Sequence, residues 1–156
     1  MNMNQEFTFT LNGENVRVNT LPETPLLYVL RNSFQLNGPK FGCGEGQCMS
    51  CAVLIDGKAM PSCKVTVSSV TGREIITLEG LVSKNGILHK VQQAFIDEQA
   101  AQCGYCLNGM VMGTVSLLNE IPNPSEEEIR SRLSAHICRC GVHSRIIKAV
   151  KKAANL

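Results

Sequence analysis

Hydrophobic and polar positions change period about halfway along the chain. From Phe7 to Leu11 apolar and polar residues alternate, Asn12-Gly13 interrupts them, and alternation resumes over residues 15–19. That is the pattern of a β-hairpin closed by a two-residue turn. Thr24-Pro25 then reads as a helix start, with Thr24 as cap and Pro25 in the first helical position. Leu26, Leu27, Val29 and Leu30 supply its apolar face. Residues 52–56 (AVLID) and 75–78 (IITL) are short apolar runs suited to strands. The first half is therefore expected to form a mixed sheet with one helix laid across it.

Residues 81–88 contain an Asn-Gly pair and read as a connection, after which the period becomes helical. Residues 88–99 bring Leu88, Val91, Phe95 and Ile96 to one face. Residues 108–119 carry Met110, Val111, Met112, Val115, Leu117 and Leu118, apolar nearly all round and suited to the centre of a bundle. Pro122 and Pro124 stop that helix. Ser125 and Glu128 form a capping-box pattern that opens a third helix over 125–135. A fourth, over 144–154, has Ile146, Ile147, Ala149 and Val150 inward. Its Lys148, Lys151 and Lys152 lie toward the end that favours cations, and they read as a solvated face. Four helices with short links predict a small bundle. The fold class is α+β, with two domains, residues 1–80 and 81–156.

Composition narrows the function. With 44% hydrophobic and 18% charged residues the chain suits a compact protein. A net charge of only +2 and the absence of Trp argue against nucleic acid or an anionic membrane as partner. The N-terminal residues lack a secretory pattern, and no apolar run approaches the ~20 residues needed to span a bilayer. The expected compartment is the cytoplasm, with the inner membrane or periplasm reached only in the company of a partner. In a reducing compartment eight cysteines point to metal ligation or catalysis rather than disulfides.

Those cysteines fall into two sets. Cys43-x4-Cys48-x2-Cys51 followed by Cys63 has the plant-type spacing for a [2Fe–2S] cluster. Gly42, Gly44 and Gly46 let the loop wrap tightly and aim N–H groups at sulfur, and a hairpin turning at Asp56-Gly57 delivers the fourth ligand. Four cysteines are also a zinc signature, but zinc favours paired C-x2-C knuckles over a glycine-rich x4 loop. Cys103-x2-Cys106 and Cys138-x-Cys140 are weaker by themselves, and a redox dithiol, half a zinc knuckle or buried structural thiols stay open for them. Each pair precedes a predicted helix, so two helix N-termini can converge on one anionic group. Arg139 adds positive charge there.

Four blocks make the chain recognisable: Lys40-Phe41-Gly42-Cys43-Gly44-Glu45-Gly46-Gln47-Cys48, Thr77-Leu78-Glu79-Gly80, Gln102-Cys103-Gly104-Tyr105-Cys106 and Cys138-Arg139-Cys140-Gly141. From Phe7 to Ala154 the chain resembles the iron–sulfur subunit of the xanthine oxidase family of molybdenum hydroxylases. The resemblance implies a β-grasp, plant-type ferredoxin-like domain followed by a four-helix-bundle domain. It implies two [2Fe–2S] clusters, one held by Cys43, Cys48, Cys51 and Cys63, the other by Cys103, Cys106, Cys138 and Cys140. It further implies a large partner subunit that binds molybdopterin, expected as the cytosine dinucleotide. Electrons would run from that centre through the helical-domain cluster and then the plant-type cluster. The external acceptor would be a cytochrome c domain or subunit, or a flavin subunit. Gln102 and Cys140 are expected beside the pterin; Gln102 could otherwise be an ordinary helix-cap amide.

Residues 24–48 and 91–110, with Cys140-Gly141-Val142-His143, are similar to the branch that hydroxylates N-heteroaromatic rings, the nicotinate and isoquinoline enzymes. Nicotinate, converted to 6-hydroxynicotinate, is the expected substrate. One departure is Met49-Ser50, where the family has Gly-Ala; Met49 is expected to cover the cluster rather than meet a partner. His89 is expected to be exposed. His136 and His143 could donate to sulfur or charge near pH 6–7. Glu126, Glu127 and Glu128 are expected to serve the dipole of their own helix. Two other functions compete: a free-standing two-cluster carrier, against which the apolar run Leu107–Val115 argues, and a zinc-binding adaptor. A related alternative is the small subunit of an aldehyde or other N-heterocycle oxidoreductase.

Overall fold

The computed structural model describes residues 3–155. Strands β1 (Gln5–Leu11) and β2 (Glu14–Thr20) pair antiparallel across Asn12-Gly13, with Phe7 opposite Val18 and Phe9 opposite Val16. Both turn residues have positive φ, 52° and 83°, as a tight hairpin turn demands. Strands β3 (Ala52–Ile55) and β4 (Lys58–Pro61) form a second hairpin over Asp56-Gly57, and β5 (Glu74–Ile76) lies between the two hairpins. The sheet order is β2-β1-β5-β3-β4, with β5 parallel to β1 and antiparallel to β3.

The helix across the sheet differs from the expectation. Helix α1 (Leu26–Tyr28) is a single turn that widens into a π-helical turn, Val29–Ser33. Pro25 occupies the cap position, with an extended ψ of 133°, and no side chain caps the turn. Thr24 instead shares a 3.0 Å hydrogen bond with Thr20, and the segment entering the helix pairs with residues 65–67, Pro25 bridging Thr66 and Val67 N–H donating to Thr24 O. The apolar face holds as read: Leu26, Leu27, Val29 and Leu30 are all buried, and Leu26, Val29 and Leu30 pack with Phe7, Phe9, Val53, Ile55 and Ile75 of the sheet.

The other sheet face is covered too. Ala52 and Leu54 of β3 belong to the core of the helical half. A strand buried on both faces explains why its sequence is an unbroken apolar run rather than an alternating one. Strand β5 stops at Ile76 because Thr77 is turned aside: its N–H donates to Asn12 Oδ1 (2.9 Å), and Asn12 Nδ2 donates to its hydroxyl.

Helix α3 (Leu107–Glu120) is the axis of the helical half, buried from Asn108 to Leu118. The run Leu107–Val115 is therefore interior to this chain from Asn108 onward, with Leu107 half-buried, and it does not serve as an argument for a partner surface. Around α3 pack α2 (Lys90–Asp97), α4 (Glu126–Leu133) and α5 (His143–Ala153). The capping box forms as read, Glu128 N–H to Ser125 Oγ and Ser125 N–H to Glu128 Oε2. His89 differs: it is half-buried and caps α2, its Nδ1 accepting the Val91 N–H at 3.3 Å while Gln92 accepts from its own N–H. The terminal lysines are not all solvated. Lys151 pairs with Glu126 at 2.7 Å and Lys152 with Asp97 at 2.9 Å, tying α5 to α4 and α2. Glu126 thus serves neighbouring cations, Arg130 among them, as well as its own helix. No helix among the described residues is long and apolar enough to cross a membrane.

Candidate metal centres

Two loops carry the first cysteine set. The segment from Gly42 to Cys51 wraps so that the N–H groups of Glu45, Gln47 and Cys48 all donate to Cys43 Sγ at 3.3–3.4 Å, while Cys43 N–H donates to Cys48 Sγ at 3.3 Å. Gly42 has to be glycine, because a Cβ there would stand 2.7 Å from Cys48 Sγ. These donors, Glu45 N–H foremost, pull the Cys43 thiol down to about 7. Cys63 arrives after β4 and is a side-chain hydrogen-bond partner of Cys51. Cys51 is buried, and burial pushes its thiol up to about 11.

The second set repeats the device. Tyr105 N–H lowers the Cys103 thiol as Glu45 N–H lowers that of Cys43, and both turns contain a glycine with φ above 70°, Gly44 and Gly104. Cys103 and Cys140 sulfurs stand 3.4 Å apart, and Cys106 partners Cys138. Burial pushes Cys106 up to about 12. Cys106 is the cap residue of α3, and Cys138 and Cys140 lead into α5, so two helix N-termini do converge here. Gln102 is exposed beside Cys103, which places it at the Cys103–Cys140 rim.

The eight thiols thus meet two by two: Cys43 with Cys48, Cys51 with Cys63, Cys103 with Cys140 and Cys106 with Cys138. Within the second set the two pairs are also neighbours, Cys106 feeling the charge of Cys103 as well as of Cys138. Pairs are what a [2Fe–2S] group needs, since each iron takes two thiolates and the sulfides bridge between the pairs. N–H groups aimed at sulfur suit the anionic group further. The donor set fits.

The two sites are joined. Asn108 Nδ2 donates to the carbonyls of Ser50 (2.9 Å) and Ala52 (2.8 Å), Ile137 N–H donates to Cys48 O at 3.3 Å, and the Tyr105 hydroxyl donates to Phe41 O. Met49 adopts a φ of +60° and packs on the helical core, so its side chain serves the join between the halves. Asn108 carried no signal in the sequence, since its partners lie 56 and 58 residues away. His136 takes up neither of the roles left open for it by the sequence. It is buried against Gly113, neither ring nitrogen meets a hydrogen-bond partner among the described residues, and burial holds it down to about 4, well short of charging near neutrality. His143 is exposed at the start of α5. The Thr77–Gly80 block holds the halves together: Glu79 accepts from Gly38 N–H at 2.6 Å, and Leu78 O accepts from Gln92.

Comparison with known proteins agrees with this layout. A 2Fe-2S iron-sulfur cluster binding domain matches residues 9–76, and a [2Fe-2S] binding domain matches residues 77–151. The chain is 55% identical over 152 residues to one subunit of nicotinate dehydrogenase from Pseudomonas putida, covering 97% of this chain and 96% of that protein. It is 44% identical to the alpha subunit of isoquinoline 1-oxidoreductase from Brevundimonas diminuta, covering 94% and 95%. Among solved structures, quinoline 2-oxidoreductase from Pseudomonas putida 86 superposes with a TM-score of 0.92 at 36% identity, covering 98% of this chain and 95% of that one. Aldehyde oxidoreductase from Desulfovibrio desulfuricans gives 0.90 at 38% identity, this chain spanning 17% of its length. The pairing of thiols, the α+β layout and these likenesses together show that the chain belongs to the [2Fe–2S] electron-transfer subunits of the xanthine oxidase family of molybdenum hydroxylases.

Proposed function

We propose that this chain connects a molybdopterin centre on a large partner subunit to an external electron acceptor, within an enzyme that hydroxylates nicotinate to 6-hydroxynicotinate. Residues 1–80 and 81–156 form its two cluster domains. Cys103, Cys106, Cys138 and Cys140 would hold the cluster that receives electrons, and Cys43, Cys48, Cys51 and Cys63 the one that delivers them. Bound there, the two clusters supply one-electron transfer, which lets a two-electron oxidation drain singly. The chain's own residues provide everything else. N–H groups of Glu45, Gln47 and Cys48 stabilise negative charge on sulfur, the buried Cys51 and the half-buried Cys106 line the inner side of each site, and cross-links fix one site against the other. Gln102 and Cys140 at the exposed rim are the residues offered to the pterin, in our reading bound as the cytosine dinucleotide.

The observation that carries this reading is the pairing of eight thiols into four twos at two linked sites. The substrate rests on the 55% identity to one component of a nicotinate dehydrogenase. The acceptor in this reading is a cytochrome c domain or a flavin subunit, and the compartment is the cytoplasm. Co-purification tests it: the chain should emerge with a large molybdenum subunit, coloured red-brown, bleached by dithionite and by nicotinate. Purification as a colourless chain, or as an active carrier without that subunit, refutes it. A complex bleached by an aldehyde but not by nicotinate moves the substrate and leaves the wiring in place.

A further inference from the structure

We propose that Asn108 is a positioning residue for the first cluster site, its side-chain amide holding outward the two carbonyls that bracket Cys51. This rests on the two-cluster reading above. Asn108 sits in the first turn of α3, the helix that Cys106 caps, and is 1% exposed. Both N–H bonds of its Nδ2 are used, on Ser50 O and Ala52 O, the neighbours on either side of a thiol that is itself 2% exposed. Its Oδ1 is buried and meets no partner among the described residues. Turning the amide over would set that oxygen against two carbonyl oxygens, so the orientation is fixed by repulsion as well as attraction. A buried amide oxygen without a donor costs stability. What offsets that cost is the double clamp made by the nitrogen.

The consequence for the site follows from peptide geometry. C=O and N–H of one peptide unit point in opposite directions, so a carbonyl anchored outward turns its N–H the other way. The bonds described above between the first cysteine loop and the helical half all run in one sense. The loop supplies carbonyls, of Phe41, Cys48, Ser50 and Ala52, and the helical half supplies donors, from Tyr105, Ile137 and Asn108. The peptide units so held are those that carry the N–H groups of Gly42, Met49, Cys51 and Val53, while the amides of Glu45, Gln47 and Cys48, on other units of the same loop, face Cys43 sulfur. Asn108 supplies two of these anchors and sits two residues from a thiol of the other site. Together with Lys40 N–H, which also donates to Ser50 O at 3.1 Å, it therefore fixes the backbone on both sides of Cys51 and ties that thiol to the helix that Cys106 caps.

The test compares Asn108→Leu, which keeps bulk but no donor, with Asn108→Ser, which is smaller and keeps one. Each is purified as the complete complex with its large subunit. Redox titration followed by electron paramagnetic resonance reads each cluster separately. The expected result is a shifted potential of the first cluster, because the backbone on either side of Cys51 is no longer held and its sulfur changes place. The magnetic interaction between the two reduced centres should change as well, while the second cluster keeps its potential. Serine should give the smaller shift. A purely packing role predicts wild-type potentials in the leucine variant, and that result overturns the proposal. If the leucine variant loads no first cluster, the serine variant decides alone, and an unshifted potential there overturns it equally. A wild-type sample with a single signal would instead refute the two-cluster reading.

Discussion

Gly109→Ala separates two physical effects of opposite sign. Glycine inside a helix costs about 1 kcal/mol relative to alanine, so propensity alone predicts a stabilised protein. Gly109, however, lies where the first turns of α3 meet the cysteine loop. A Cβ there would stand 2.9 Å from the carbonyl carbon of Met49, nearer still to its oxygen, and 3.4 Å from the His136 ring. Carbon atoms prefer roughly 3.5–4.0 Å, so helix and loop would have to part by somewhat less than about 1 Å. The neighbour is backbone, not the free end of a side chain, and that carbonyl already accepts the Ala52 N–H at 2.9 Å. Overpacking of this kind costs roughly 1–3 kcal/mol, and displacing the buried bond adds to it. The net expectation is a loss of about 1–2 kcal/mol. For a chain of this length that lowers the thermal midpoint by roughly 2–8 °C. Loss of visible absorbance and of far-ultraviolet circular dichroism, scanned at one fixed rate, reads it. A midpoint equal to or above wild type would refute the close-approach argument and leave helix propensity in command.

Further outcomes are expected elsewhere. His89→Ala removes the acceptor for Val91 N–H and should cost about 1 kcal/mol in urea unfolding at pH 7.5. Burial lowers the His89 pKa from its ordinary 6.5, so the cap's contribution is full above that value and is lost as pH falls below it through the folded-state value. The gap between wild type and variant should therefore shrink at pH 5.5, and a gap that widens would contradict the cap. Ser125→Ala should fray the start of α4 by about 1 kcal/mol, seen as faster amide exchange at Glu128 with α2 unaffected. Cys51→Ser should abolish one paramagnetic signal and Cys138→Ser the other; loss of both from either variant would contradict two separate sites. Cys140→Ser in the complete complex should slow reduction of this chain by substrate more than it weakens substrate binding, and equal turnover would remove Cys140 from the route.

Much of this is legible because short-range chemistry governs it. Asn12-Gly13, Asp56-Gly57 and the Ser125/Glu128 box form as their local sequences dictate, and the all-round apolar character of α3 marks it as central. The cysteine spacings locate both sites. What escapes depends on distant partners. Residues 52–56 read as a strand, but nothing local says that Ala52 and Leu54 face α3 while Val53 and Ile55 face α1. The Asn108 clamp lies in the same class. His89 escapes because histidine is an uncommon cap, and the terminal lysines because their acids sit on other helices. The π turn after α1 has no signature we can name in the sequence.

The twofold burial of β3 bears on modularity. Two cluster modules are recognisable side by side, yet the inner strand of one contributes half its side chains to the hydrophobic interior of the other. Severing the chain between them would strip solvent protection from both fragments at once. Recombinant halves should therefore aggregate or depend on each other to mature, as parts of one folding unit carrying two metal sites.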